Sequence, residues 1–357
     1  MAPGSGTRSI LNSIPTEILR EIALSVDTAS DTSALCRTSK LLSVIATPVL
    51  YRHLYLDSVE KTLGCFDALS KNAKCHDYVR SVRVAIYTSD GDYVPSDVIF
   101  PLESVLRTLR NLQHLYLRLP DFDDRFLIIF ATLTLPSLLT FSSPHTGSFS
   151  PLLSSFVNRH PHLTHLDLLS PWTVRRPDAD NADFKLPLLH LPCLRCFRGC
   201  ALYGQSLVVH LRTLVRADIW DAPPATDLDA LLAALADATT PGTPFTLAFL
   251  WDGPLTALFA PLAAHLPHTS ALATGPFQHP APELTQEDID TIAGALEALC
   301  GLASFDFANA AGTSGGHTVR EDCAALTKWS MHCPSLITSR LHSRNWACVK
   351  GKWVLVQ

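Results

Sequence analysis

The chain has 357 residues, 47% of them apolar and only 17% charged, with a formal net charge of −5; that length supplies two domains or one elongated one with a substantial core, and its weakly acidic balance offers no basic face for nucleic acid. Residues 1–13 contain no long apolar run of the secretory kind, and the best candidate for a bilayer span, residues 255–266, is only about a dozen residues long and carries Pro261. The expectation is an intracellular protein, cytoplasmic or nuclear, with no membrane or nucleic-acid partner, whose ten cysteines are reduced thiols packed mostly in cores.

The first helix starts where Pro15 suits an opening helical position and Glu17 sits at the anion-favouring end of the helix dipole. Ile14, Ile18, Ile22 and Val26 then recur every four residues as one apolar stripe. A second helix is expected to begin at Ser30 or Asp31 and to turn Ala34, Leu35 and Thr38 inward. Ser39 opens a third, in which Leu41, Leu42, Val44 and Ile45 are apolar almost all round. Pro48 is expected to end it and to start Val49-Leu50-Tyr51, which leads into a strand at His53-Leu54-Tyr55-Leu56. These apolar positions are too many for so small a unit to hide by itself, so another body must cover some of them.

A helix over residues 58–72 and a strand over residues 78–86 follow. From there a theme recurs: Leu109-x-x-Leu112-x-x-Leu115-x-Leu117-x-Leu119, Leu135-x-x-Leu138-x-x-Phe141 and Leu163-x-x-Leu166-x-Leu168. It continues in Leu191-x-x-Leu194-x-x-Phe197, Leu211-x-x-Leu214-x-x-Ala217-x-Ile219 and Leu299-x-x-Leu302-x-x-Phe305-x-Phe307, with Phe245-x-Leu247-x-Phe249 as a weaker copy. Taking Val82, Leu115, Phe141, Leu166, Phe197 and Ala217 as equivalent, the interval runs from about 20 to 33 residues, on and beyond the leucine-rich repeat period. Helical segments such as residues 151–157 and 228–235 lie between strands, so the units are expected to stack into a curved parallel sheet. A doubly wound sheet would also alternate strand and helix, but no Gly-rich strand-to-helix turn stands where such sheets bind nucleotides. Residues 221–282 match the theme poorly and leave the repeat count there open. Residues 170–185 and 310–317 are expected to be surface loops, and Trp346-Ala347-Cys348-Val349 is expected to pair with Trp353-Val354-Leu355-Val356 across Lys350-Gly351-Lys352 as a hairpin that caps the sheet.

Chemistry-bearing clusters are few. Cys193-x-x-Cys196-x-x-x-Cys200 has metal-like spacing, yet no second Cys-x-x-Cys completes a four-ligand site, and Leu194 and Phe197 interleave as core positions. His160, His162 and His165 crowd one handover from helix to strand, where the expectation is capping or solvent exposure. With no nucleophile elbow, phosphate loop or zinc-protease helix, the expectation is no catalytic residue, no metal and no cofactor. The strand positions alternating with the core leucines, Arg83, Tyr116, Arg118, Asp167, Arg198, Asp218, Trp220 and Asp306, form a mixed charged and aromatic face suited to reading a protein partner.

The N-terminal residues Ile14-Pro15-Thr16-Glu17-Ile18-Leu19, Ile22, Leu35, Thr38-Ser39-Lys40-Leu41-Leu42 and Pro48-Val49-Leu50-Tyr51 resemble an F-box, in particular that of fungal proteins that join it to leucine-rich repeats. Two departures stand out: the family's Trp is Leu42 and a usual Val is Thr38. The resemblance covers roughly the first 55 residues closely and the rest only as architecture. It implies an α/β chain with an N-terminal helical F-box at residues 1–56, followed at residues 57–357 by a curved, irregular leucine-rich-repeat-like solenoid with a parallel sheet and a hairpin cap. It further implies a non-catalytic substrate receptor of a cullin-RING ubiquitin ligase. Such a receptor would dock a Skp-type adaptor, and through it the cullin scaffold, by Ile14, Pro15, Ile18, Ile22, Leu35, Leu42 and Leu50, and an unnamed target protein by the repeat face. The alternative is a scaffold repeat protein whose head packs on its own body or an unrelated partner; a hydrolase would need a pocket joining a nucleophile to a histidine.

Overall fold

A computed structural model describes residues 13–86, 96–118, 124–143, 151–168, 187–222, 226–251, 255–275, 285–307 and 318–356. They form a mixed α/β structure with mostly parallel strands. The chain divides into two compact units, one of residues 1–121 and 133–138 and one of residues 122–132 and 139–357. The loops expected at residues 170–185 and 310–317 lie outside the described residues.

In the first unit, α1 (Thr16–Leu24) and α2 (Ala29–Thr38) both pack on α3 (Lys40–Leu50). Pro15 stands just before α1, and its carbonyl accepts from the Ile18 and Leu19 amides at 3.1 and 3.2 Å. The cap of α2 is Thr28 rather than Ser30 or Asp31: Thr28 has the extended backbone of a cap residue, and its hydroxyl accepts from the Asp31 amide at 3.1 Å. Its inner face also differs from expectation, with Thr32 buried, Leu35 half-buried, and Ala34 and Thr38 exposed. Ser39 does cap α3, accepting from the Leu42 amide at 3.1 Å. Pro48, however, does not end it. Its missing N–H leaves only the Val44 carbonyl without its helical donor, on a residue that is 74% exposed, and the helix runs on to Leu50.

Then follow β1 (His53–Leu56), α4 (Val59–Lys71), the single turn α5 (Ala73–His76), β2 (Ser81–Ala85), α6 (Ser96–Leu106) and β3 (His114–Arg118). The strands run parallel in the order β1-β2-β3. Leu54, Val82 and Leu115 share one register row and Leu56, Val84 and Leu117 the next, all buried.

The second unit contains α7 (Asp124–Thr132), β4 (Thr140–Ser142), α8 (Pro151–Asn158), β5 (His165–Asp167), β6 (Leu189–His190), β7 (Cys196–Gly199), α9 (Ala201–Gln205), β8 (Leu207–Val208) and β9 (Arg216–Ala222). It continues with α10 (Leu228–Ala238), β10 (Phe245–Trp251), α11 (Leu255–His265), β11 (Thr269–Gly275), α12 (Gln286–Leu296), β12 (Ser304–Phe307), α13 (Val319–His332), β13 (Thr338–Leu341), β14 (Arg344–Val349) and β15 (Lys352–Val356). Its main sheet has the order β4-β5-β7-β9-β10-β11-β12-β13-β14-β15, parallel as far as β13. β6 and β8 form a separate two-stranded pair. Parallel neighbours need a crossover, and the helices supply it; α10, α11, α12 and α13 pack on one another in succession.

The recurring leucines have a local cause. In Leu109-x-x-Leu112, Leu191-x-x-Leu194 and Leu299-x-x-Leu302 the second leucine's amide donates to the first one's carbonyl at 3.0–3.2 Å, so the motif is a tight turn that buries both side chains before the strand. The same turn is closed by His160 and Leu163, by Leu266 and Thr269, and by Cys333 and Leu336, at 3.0–3.1 Å. Leu211-x-x-Leu214 is not such a turn: Leu211 is 62% exposed, and the Leu214 amide donates instead to the Ala238 carbonyl.

The tail forms the expected hairpin, Cys348 opposite Trp353, through a turn in which Lys350 and Gly351 have φ of 52° and 75°. β13 and β14 are also an antiparallel hairpin, turned by His342 and Ser343 with φ of 48° and 62°.

Candidate functional site

Three features of the described residues carry chemistry or open surface. The first is the outward face of α1. Leu19 and Ala23 face inward, whereas Ile18 and Ile22, from the stripe read in the sequence, stay 51% and 46% exposed. Of the other residues expected to dock an adaptor, Pro15 is exposed, Ile14, Leu35 and Leu50 are half-buried, and Leu42 is enclosed. Leu24 and Val44 join the exposed apolar set. Val44 was legible as part of an all-apolar helix, but only the packing of α3 decides that it points out.

The second is the sheet face opposite the leucines. In the first unit, Arg83 is exposed with its guanidinium 5.2 Å above the Tyr55 ring, Tyr116 is half-buried and Arg118 exposed. In the second unit, Asp167, Arg198, Asp218, Ala248, Ala273, Asp306 and Arg340 form one continuous register row. Asp218 is buried and held by Arg216, which donates through Nε and Nη2 at 2.9–3.2 Å; this pair raises the Arg216 pKa further. Asp167 accepts from the Ser142 hydroxyl at 3.1 Å. The Arg198 guanidinium lies 4.3 Å above the Trp220 ring, a cation–π contact. Burial holds the Asp306 carboxyl above the usual carboxylate range, although the Arg340 charge draws it down.

The third is a buried cluster at the β13–β14 hairpin. The Asp322 carboxylate, with no exposed side-chain area, bonds His342 Nδ1 at 2.6 Å and Arg344 Nη1 at 2.8 Å. Burial pushes the Asp322 pKa up, but the hydrogen bonds and charges of His342 and Arg344 outweigh it and leave the carboxyl below its ordinary value. The His342 side chain is 5% exposed, so this pair fastens the turn to α13.

The histidines and cysteines divide differently from expectation. His162 and His165 are exposed, but His160 is buried: Nδ1 donates to the Phe156 carbonyl at 2.7 Å, and the ring sits 4.3 Å from the Phe156 ring. The reason is its place as the first residue of the tight turn, where other copies have leucine. Cys193 and Cys196 are half-buried and Cys200 buried, all as free thiols. Among the described residues, no group of three His, Cys, Asp or Glu side chains is arranged to hold a metal ion, and no helix is long and apolar enough to cross a membrane. No protein-family model matches the chain, and no curated protein matches it.

Proposed function

We propose that the chain is an F-box and leucine-rich-repeat protein: a non-catalytic receptor that joins a target protein to a cullin-RING ubiquitin ligase through a Skp-type adaptor. The observation that carries this reading is the outward stripe of α1, because Ile18 and Ile22 remain about half exposed in the isolated chain, as a docking helix requires and a head sheltered by its own body would not leave them. The two caps and the packing of α1 and α2 on α3 give that stripe a rigid base. Tight turns feeding parallel strands support the repeat architecture. In this reading the ligase's conjugating enzyme does the chemistry, and the receptor raises the local concentration of a target lysine.

The test is binding of the full chain to purified Skp-type adaptor, measured by pull-down and calorimetry, for the parent and for the Ile18→Asp, Ile22→Asp double variant. Fully burying an isoleucine is worth about 1.5–3 kcal/mol, so burying the exposed halves of two gives a comparable sum; with two carboxylates forced into an apolar interface, the expected loss is at least about 10²-fold. A parent that does not bind the adaptor, or a double variant that binds as tightly as the parent, refutes the docking.

A further inference from the structure

The receptor reading leaves the chemistry of the target unstated, and the second unit's outer sheet face bears on it through charges that are not neutralised. Along the register row the acids Asp167 and Asp218 are engaged by Ser142 and Arg216. Arg198 stands between them in register yet forms an ion pair with neither among the described residues; it lies over Trp220, and its Nε is sealed from solvent without an acceptor. Trp220 Nε1 is sealed and unpartnered in the same way. Toward the other end of the row, Asp306 Oδ1 is also enclosed without a donor, and its register neighbour Arg340 is exposed and not bonded to it. Between the two ends β10 and β11 contribute Ala248 and Ala273, with Leu250 and Gly275 one step further along and Thr246 and Ala271 one step back, so the floor at this row is apolar and small. Those enclosed atoms are beyond the reach of a bound chain, but Arg198 and Asp306 are themselves only half-buried, so each keeps an unneutralised charge that a bound chain of opposite charge can meet.

Resting on the receptor reading, we infer that this face binds an extended target segment that crosses the strands, placing a carboxylate on Arg198 and Trp220, a basic side chain on Asp306, and small apolar residues over Ala248 and Ala273. The spacing follows from the sheet. Arg198 leans over Trp220 on β9, and from β9 to β12 there are three strand steps, about 14 Å at roughly 4.8 Å each. An extended chain advances about 3.3 Å per residue, so with side-chain reach the acid and the base stand roughly four to six residues apart. The raised pKa of Asp306 agrees with an acid awaiting a cation.

The experiment measures fluorescence anisotropy of the full chain with fluorescein-labelled Ala/Ser peptides carrying one Glu and one Lys, in both orders and at every spacing up to about nine residues. Affinity is expected to peak at a spacing of roughly four to six. Arg198→Gln is expected to weaken the Glu peptide roughly tenfold and leave its Gln analogue unchanged, and Asp306→Asn to do the same for Lys against Met at that position. On binding of the Lys peptide, the Asp306 carboxyl pKa, followed by carbon NMR, is expected to fall. Should Arg198→Gln not fold, by circular dichroism, Arg198→Lys replaces it and is expected to retain part of the affinity. A flat spacing profile overturns the inference, as does a variant that weakens both analogues equally. Adaptor binding measured on the same preparations separates the two failures: adaptor binding with a flat profile rejects this site alone, whereas loss of adaptor binding rejects the receptor reading and leaves the peptide profile to decide the site.

Discussion

Replacing Asp322 with Asn should loosen the β13–β14 hairpin of the second unit, and the structure sets the size of the effect. The β13–β14 turn puts two non-glycine residues, His342 and Ser343, in the left-handed region at φ of 48° and 62°, a strain of about 1–2 kcal/mol each. The Asp322 carboxylate opposes that strain by bonding His342 from one oxygen and Arg344 from the other while wholly enclosed. Removing one partner of such a buried pair costs about 3–5 kcal/mol; Asn keeps the shape and one acceptor, so Asp322→Asn is expected near the low end, about 3 kcal/mol. Urea denaturation at neutral pH measures it, with tryptophan fluorescence as a local reporter because Trp329, Trp346 and Trp353 are all buried in α13 and the hairpin strands. The pH dependence supplies a second check. The folded carboxyl titrates below its ordinary value, so its contribution is full above about pH 4 and is lost as pH falls through the folded value. The gap between parent and variant should therefore close in acid. A variant within about 0.5 kcal/mol of the parent at neutral pH refutes the reasoning, as does a gap undiminished near pH 2.

Two further outcomes follow from burial. His160 sits in an apolar turn, where burial pushes its pKa below the usual histidine value, the Phe156 bond opposing in part and the Arg159 charge adding to it. The parent's stability is then full above about pH 6.5 and declines as pH falls from there toward the folded value. His160→Leu should unfold within about 1 kcal/mol of the parent near pH 7.5 and be the more stable of the two near pH 5.5, measured by urea denaturation; equal pH slopes would contradict this. Burial also pushes the Cys65 thiol up to about 11, whereas Cys300 is exposed. Iodoacetamide near pH 8 should alkylate Cys300 first, by mass spectrometry, the half-buried Cys65 more slowly because little of it is thiolate, and the buried Cys75 only on unfolding; modification of Cys65 as fast as Cys300 would refute this.

What the sequence disclosed depended on whether a local rule or a tertiary contact decided the outcome. Ser39 caps α3 and Gly351 turns the tail hairpin because capping and left-handed turns depend on a few neighbouring atoms. The leucine theme located strands for the same reason, since it spells a tight turn, and it faded between residues 221 and 282 because β11 enters through Leu266 and Thr269, with threonine in a leucine's place. Pro48 misled because helix breaking depends on whether the orphaned carbonyl meets water, which only the packing of α3 determines. His160 misled in the opposite sense: a polar residue fills an apolar turn position by donating to Phe156. Among the candidate partner-reading residues, alternation put Arg198, Asp218 and Asp306 on the face opposite the leucines, but their common register row and the groups beside them, Arg216, Trp220 and Arg340, depend on strand pairing that no local pattern spells. The Asp322 cluster was invisible because its members lie on α13, a turn and β14.

The first helix offers a way to separate what serves the fold from what the proposed docking would need. Its sequence contains two apolar stripes offset by one residue, Ile18 with Ile22 and Leu19 with Ala23, and periodicity alone does not choose between them. The structure turns Leu19 and Ala23 inward, and α3 buries its own small residue, Ala46. With Leu19 and Ala23 filling the inward side, the two isoleucines are left about half exposed on the other side of the same helix. If they serve only the fold, charging them should be costly; if they serve a partner, it should not be. The Ile18→Asp, Ile22→Asp double variant is accordingly expected to unfold within about 0.5 kcal/mol of the parent, the range of exposed-surface substitutions, while losing the adaptor. A variant that instead loses several kcal/mol of stability would assign the stripe to the core and leave the docking helix without its surface.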